Sequence, residues 1–352
     1  TIENPMSDFL TRLLRPNIAR LRPYSSARSE FKGQASVFLD ANENPFDNGL
    51  NRYPDPLQWP LKQQIATWKD VLPEQIFLGN GSDEAIDLLV RMFCNPGQDR
   101  IITLPPTYGM YEVSADIAGV EVLHIPLSRD FQPDVDAILN AADERTKLLF
   151  LCSPNNPTGN AFDIDKITAL IRHFPGIVVV DEAYSDFSRQ ESILSRIKQH
   201  ENLVVLQTFS KACGMAGIRL GMAFAQAPMI GWFNKIKPPY NINILTQQAA
   251  MNALRQPEIW EEQLSTILRE RDHLIHALSQ MPITEHIFPT AANFVLVRVG
   301  DPDGLYRFLV QTGIIVRNRS SVILCEGCLR ITIGTPDENS QLIQSLQQYA
   351  AL

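Results

Sequence analysis

Between residues 75 and 208, short runs rich in β-branched and apolar residues alternate with stretches of helical periodicity, and this alternation constrains the fold most. The runs lie at 75–78, 100–104, 121–125, 147–152, 177–180 and 203–208. Helical stretches at 83–93 and 108–118, with further helical candidates between most of the other runs, separate them. Strands alternating with helices build βαβ units and hence a largely parallel sheet covered on both faces. The run Ile177-Val178-Val179-Val180 has no polar position, as a central strand buried on both sides requires. In open sheets of this kind ligands bind outside the carboxyl ends of the strands. The turns after these runs are therefore where chemistry is expected.

After Tyr240 the pattern changes. A long helical stretch at 245–280, interrupted near Pro257, carries Glu261, Glu262, Arg269, Glu270 and Arg271 as a solvated face. Residues 293–299, 314–317 and 329–333 read as strands around a helix at 305–311, an order that predicts a smaller α+β unit. The expected division is a large α/β domain at 46–250, with 1–45 and 251–352 forming a small domain and its N-terminal arm. The first 45 residues are irregular, punctuated by Pro5, Pro16, Pro23 and Pro45, and are expected to pack beside the C-terminal part. A chain of 352 residues can bury the core that two domains need.

Charge and cysteine usage exclude several classes of function. The net charge is −8 (31 − 39), which offers no basic field for nucleic acid or an anionic membrane, so an anionic ligand must be held locally. The five cysteines are odd in number and fit free thiols in a reducing compartment. Cys325 and Cys328 form one isolated C-x-x-C, and His273 and His276 stand three apart on a polar helical stretch; neither pair has the further ligands a zinc site needs. No metal is expected. Residues 1–15 carry acidic side chains and no sustained apolar stretch, unlike a secretory signal, and no run reaches the roughly 18 apolar residues of a membrane span. A cytoplasmic location is the expectation.

Four segments sit at turns after expected strands. The first, Leu78-Gly79-Asn80-Gly81-Ser82-Asp83-Glu84, opens a helix. Backbone N–H groups of Gly81, Ser82 and Asp83 could face an anion there, helped by the helix dipole; a capped helix start fits the same residues. Because Asp83 and Glu84 would repel a phosphate, both carboxylates are expected to turn aside as caps. The second segment, Ser153-Pro154-Asn155-Asn156-Pro157-Thr158-Gly159, is by itself a tight turn. The third, Asp181-Glu182-Ala183-Tyr184, ends the most apolar strand, where a carboxylate is costly without a positive partner. Asp181 either caps a helix or holds a proton on a buried heterocyclic nitrogen. The fourth runs from Thr208 to Gly221 and sets Lys211 between hydroxyl residues and a Gly-rich turn, with Arg219 eight residues on (219 − 211 = 8).

The conjunction says more than any one segment. A lysine nucleophile, an acid for a ring nitrogen, a phenol, an amide and a phosphate cup of arginine, hydroxyl and helix-end groups are the set that pyridoxal phosphate requires. In this order and spacing the segments resemble the fold type I (aspartate aminotransferase-like) family of pyridoxal phosphate enzymes. Further segments are similar to its histidinol-phosphate aminotransferase branch over nearly the whole chain. They are Arg22-Pro23-Tyr24, Leu39-Asp40-Ala41-Asn42-Glu43-Asn44-Pro45, Asn51-Arg52-Tyr53-Pro54, Pro105-Pro106-Thr107-Tyr108-Gly109-Met110-Tyr111 and Gly327-Cys328-Leu329-Arg330-Ile331-Thr332-Ile333-Gly334.

The resemblance implies a fold type I α/β transferase with a mainly parallel central sheet, flanked by helices, and a smaller α+β domain. It implies a homodimer that converts L-histidinol phosphate and 2-oxoglutarate to imidazole-acetol phosphate and L-glutamate, by ping-pong kinetics, in histidine biosynthesis. By the same resemblance Lys211 carries pyridoxal 5'-phosphate as a Schiff base and later shuttles a proton, and Asp181 pairs with the pyridine nitrogen. Asn156 and Tyr184 hydrogen-bond the phenolic oxygen, and Tyr108 stacks on the ring. The backbone of Ser82 and Asp83, with Thr208, Ser210 and Arg219, would take the phosphate, and Tyr53 would reach the phosphate of the neighbouring subunit's cofactor. Arg330 matches the position that binds the carboxylate of glutamate or 2-oxoglutarate. Arg317 and Tyr24 match positions that hold the substrate phosphate, Asn156 also borders the substrate, and Asn42, Glu43 and Asn44 border the substrate mouth. Aromatic aminotransferases of the branch, and phospho-amino-acid decarboxylases, share many of these residues and stand as the alternatives.

Overall fold

A computed structural model describes residues 8–23 and 36–351 of the protein. The larger sheet has seven strands: β1 (Ile76–Asn80), β2 (Arg100–Thr103), β3 (Glu121–His124), β4 (Thr146–Cys152), β5 (Ile177–Asp181), β6 (Leu203–Thr208) and β7 (Leu220–Phe224). Their order is β1-β7-β6-β5-β4-β2-β3. Neighbours from β3 across to β6 are parallel, while β7 runs antiparallel to both β1 and β6. The expected α/β class and mainly parallel sheet are therefore found, and each of the six strands read from sequence forms. β7 was not expected. Its first two residues, Leu220 and Gly221, end the segment read as the turn after Lys211, and Gly221 weakens the strand signal.

The apolar continuity of the central strands follows from burial on both faces. Val178, Val180 and Val205 enter one core cluster, while Ile177, Val179 and Val204 enter the cluster on the opposite face. Fully burying each such side chain is worth about 1.5–3 kcal/mol, so a polar residue on either face would be costly. The helix Ser82–Phe93 shows the complementary pattern: Ala85, Ile86, Leu89, Val90 and Phe93 face the sheet, and Asp87 and Arg91 pair on its outer side at 2.9 Å.

The second sheet contains β8 (Thr284–Ile287), β9 (Phe294–Val299), β10 (Arg317–Asn318) and β11 (Cys328–Thr332), antiparallel in the order β10-β11-β9-β8. One face packs Val295, Val297, Leu329 and Ile331 against the helices Pro257–Ser279, Pro302–Gln311 and Pro336–Ala350. The other sends Leu296 and Cys328 into the large core. The strand expected at 314–317 is only two residues long, Arg317–Asn318. β8 escaped the sequence reading because three of its four residues, Thr284, Glu285 and His286, are polar. The long helical stretch is two helices, Ile244–Arg255 and Pro257–Ser279, with Pro257 at a helix start where its missing N–H costs nothing.

The N-terminal residues depart from expectation. The helices Asp8–Leu13 and Pro16–Arg20 are regular, and Leu10 and Leu14 are buried among Phe77, Leu89 and Phe233 of the large unit. Arg15 donates to the carbonyl of Arg91, and Lys235 donates to that of Ala19. This part of the arm docks on the large unit rather than beside the C-terminal part, because its two leucines complete that apolar layer.

Candidate active site

The cleft lies at the carboxyl ends of β4, β5 and β6, where the sheet topology predicts a ligand. Its cavity volume is about 90 Å³. All four sequence segments converge there. Ser82, Asp83, Tyr108, Asn156, Asp181, Tyr184, Thr208, Ser210, Lys211 and Arg219 line it, with Gly81, Cys152 and Ala183.

The floor of one end is a backbone construction. Gly81, at φ 73°, turns β1 into the helix Ser82–Phe93, whose start has no side-chain cap among the described residues, which leaves its first N–H groups open. Gly81 N–H donates to the carbonyl of Arg219 at 2.7 Å, and a Cβ on Gly81 would stand 2.7 Å from Arg219 Nη2. Gly221 on β7 lets that strand press against the same turn. Thr208 and Ser210 hydroxyls lie 3.0 Å apart on the next loop. Glu84 turns aside as expected, accepting from Asn80 and Asn241. Asp83 does not. It faces the cleft, accepts from Tyr108 Oη at 3.0 Å and stands 3.5 Å from Arg219 Nη2, because a phenol and a guanidinium there offset its charge.

The other end is built around Asp181. This carboxylate closes β5 and is 3% exposed. Burial pushes its pKa up, while hydrogen bonds from Tyr111 Oη, at 2.7 Å to Oδ2, and from Ala183 N–H, at 3.1 Å to Oδ1, oppose the rise. Lys211 sits half-buried across the cleft with Nζ 5.4 Å from the centre of the Tyr184 ring. Its ammonium is made less stable first by burial and then by Arg330, with Asp181 acting the other way. Burial likewise raises the Tyr184 and Tyr108 phenols. Lys211 is thus biased toward a free amine, and both phenols toward their protonated, donating forms.

Arg330 on β11 reaches in from the second sheet. Its Nη1 donates to Asn156 Oδ1, and its guanidinium lies 5.3 Å from the Phe294 ring. Arg317 is its direct partner across the β10–β11 pair, more exposed and outside the cleft lining. Tyr53 is also outside: it is 52% exposed and stacks on Tyr240 with ring centroids 4.6 Å apart. Glu43 accepts from Arg52 and from Tyr53 N–H, and Asn44 from Phe46 N–H, so these two brace the 43–53 loop. Tyr24 lies outside the described residues.

Sequence reasoning gave no role to Tyr111, Cys152 or Arg319. Tyr111 stood in the quoted Tyr108 segment, and its position three residues on, one helical turn, was the available signal. Cys152 pairs in register with Asp181.

The donor set suits pyridoxal phosphate. The uncapped helix start, Arg219 and the Thr208 and Ser210 hydroxyls form an anion cup. A buried carboxylate, an amine made less basic and phenolic donors share the cleft with it.

The chain belongs to the aminotransferase class I and II family, which matches residues 34–346. It is 54% identical to the histidinol-phosphate aminotransferase of Parabacteroides distasonis over 95% of this chain and 97% of that protein. Identity to the histidinol-phosphate aminotransferase of Cytophaga hutchinsonii is 51%, covering 98% of this chain and 100% of the relative. Among solved structures, the histidinol-phosphate aminotransferase from Clostridium acetobutylicum matches with a TM-score of 0.79 at 26% identity, covering 86% of this chain and 91% of that one. The resemblance read from the motifs is borne out, and the protein is an enzyme of the aminotransferase class.

Proposed function

We propose that the protein transfers the amino group of L-histidinol phosphate to 2-oxoglutarate, giving imidazole-acetol phosphate and L-glutamate, as a step of histidine biosynthesis in the cytoplasm. The observation that carries this reading is Arg330 joined to Asn156, which lines one cleft together with a half-buried Lys211 and a buried Asp181. The full-length similarity to histidinol-phosphate aminotransferases supports the choice of substrate.

The cofactor is pyridoxal 5'-phosphate, which when bound supplies an aldehyde carbon for the amino group and a ring that accepts electrons from the substrate α-carbon. Lys211 Nζ would hold that aldehyde carbon, and Asp181 the ring nitrogen. Ser82 and Asp83 N–H groups, Thr208, Ser210 and Arg219 would hold the phosphate. Asn156 and Tyr184 would donate to the phenolic oxygen, and Tyr108 would contact the ring. Lys211, Asp181 and Tyr184 are the catalytic residues. Burial and Arg330 favour the neutral form of Lys211, so once free its Nζ can take the proton from the substrate α-carbon and return it. Tyr184 keeps its proton at neutral pH and serves as a donor. Arg330 receives the carboxylate of glutamate or 2-oxoglutarate in a charge-assisted pair, and Arg317 and Tyr24 the substrate phosphate.

A homodimer completes the site in this reading. Val37, Leu39, Phe46 and Leu50 are 70%, 87%, 80% and 56% exposed, an apolar concentration that a second subunit would cover. Tyr53, in the same stretch, would then reach the partner's cofactor. The test is a panel of amino donors with 2-oxoglutarate: histidinol phosphate should exceed phenylalanine and tyrosine in kcat/KM. Preference for an aromatic amino acid would overturn the substrate assignment. Glutamate that leaves the cofactor spectrum unaltered would overturn transamination and favour a decarboxylase.

A further inference from the structure

The strand pair β10–β11 places three arginines on one face. Arg317 and Arg330 are direct register partners, and Arg319 N–H continues the ladder to the carbonyl of Cys328 at 2.8 Å. Residues opposite one another, and residues two apart, share a face of a strand pair. Leu329 and Ile331 take the other face, in the core of the small unit. Arg317, Arg319 and Arg330 thus start from the side on which Arg330 reaches Asn156. Among the described residues, the buried Nε atoms of Arg319 and Arg330 have no hydrogen-bond partner. Burial and neighbouring arginines disfavour the charge on both. Like charges grouped around buried, unused donors cost free energy that an anion would relieve.

We propose that Arg319 is the third arm of a phosphate-binding cluster with Arg317 and Arg330, and that it makes the site select a phosphate-bearing amine over an amino-acid carboxylate. This deepens the histidinol phosphate reading and rests on it. The physical reason is valence. A carboxylate has one charge and two oxygens, which one or two guanidinium forks saturate, whereas a phosphate monoester is close to dianionic at neutral pH and offers three oxygens. A third fork is therefore used by the phosphate substrate and left over by glutamate.

The test compares wild-type, Arg319→Gln and Arg319→Lys holoenzymes in kcat/KM for histidinol phosphate and for glutamate, and in competitive inhibition by inorganic phosphate. Losing a hydrogen bond between charged groups should cost about tenfold or more in affinity. Arg319→Gln is expected to lower the ratio of the two kcat/KM values by about that factor, through KM for histidinol phosphate, and to weaken phosphate inhibition in parallel. Arg319→Lys keeps the charge without the planar fork, should recover part of both, and carries the test if the glutamine variant fails to load cofactor. A ratio and a phosphate inhibition within about twofold of wild type overturn the proposal, since a lost charged hydrogen bond would exceed that. Equal losses toward both substrates also overturn it, because they mark a structural brace. If the wild type fails to turn over histidinol phosphate, yet phosphate inhibits it and Arg319→Gln relieves the inhibition, the activity reading fails and the cluster stands.

Discussion

Replacing glycine by alanine at two positions should have opposite consequences, and the structure sets both signs. Gly221 of β7 lies in register with Gly79 of β1. A Cβ there would stand 2.1 Å from Ser82 N, 2.2 Å from Gly81 C and 2.7 Å from Gly81 O. Each of these atoms is backbone, so no side chain can swing away. Reaching an ordinary contact of 3.4 Å requires the turn to open by about 1.3 Å (3.4 − 2.1). Overpacking that side chains can absorb costs about 1–3 kcal/mol, and here the moving part is the strand–helix junction itself, so Gly221→Ala should cost about 3 kcal/mol or more. The same displacement spoils the anion cup. Gly231, exposed in the helix Ala227–Ile236, has none of the described residues within 4 Å of its would-be Cβ. There alanine should stabilise by about 0.8–1 kcal/mol through helix propensity. Urea unfolding midpoints, with m-values checked for constancy, read both changes. Retention of cofactor through gel filtration reads the cup. A Gly221→Ala protein with a wild-type midpoint and full cofactor would refute the close-packing argument, as would a destabilised Gly231→Ala.

Two further perturbations follow from buried titratable groups. Tyr111→Phe keeps the ring stacked on Phe150 at 4.6 Å but removes the 2.7 Å hydrogen bond to Asp181, so the apo-protein should lose about 1.5–3 kcal/mol at neutral pH. Asp181 is already raised by burial and rises further in the variant. A raised acid contributes stability that is complete below its ordinary pKa of 3.8 and is lost as pH climbs through the raised value. The variant's deficit should therefore grow from acid toward neutral pH, and a deficit constant across that range contradicts the account. Lys62 and Lys237 are both pushed down to about 8, by burial first, and Lys62 next by Lys237. Their contribution is fully present above 10.5 and lost as pH falls through about 8. Lys62→Met should raise the urea midpoint at pH 7 and flatten its rise between pH 8 and 10.5; an unchanged slope argues against it.

The parallel sheet was legible because burial on both faces leaves a local mark: residues 177–180 admit no polar side chain. The cleft was legible because its parts occupy turns directly after such strands, so Asp181 and Lys211 stood at identifiable ends. What sequence hid is what depends on contacts distant along the chain. β7 reads as a turn because Gly221 serves a packing need set by Gly81, far away in sequence. Asp83 faces the cleft because Tyr108 and Arg219 happen to meet it there, which no local rule forecasts. The docking of residues 8–20 on the large unit likewise depends on Phe233 and Phe77 leaving a gap for Leu10 and Leu14. Arg319 offered only the spacing Arg-Asn-Arg, and its meaning depends on β11 lying alongside.

The central claim is that Lys211 is the covalent anchor of the cofactor, and borohydride reduction of the loaded protein followed by peptide mass mapping tests it directly. The account predicts a pyridoxyl group on the peptide containing Lys211 and no labelled peptide in a Lys211→Ala protein. A label on another lysine, or labelling that survives removal of Lys211, would contradict it.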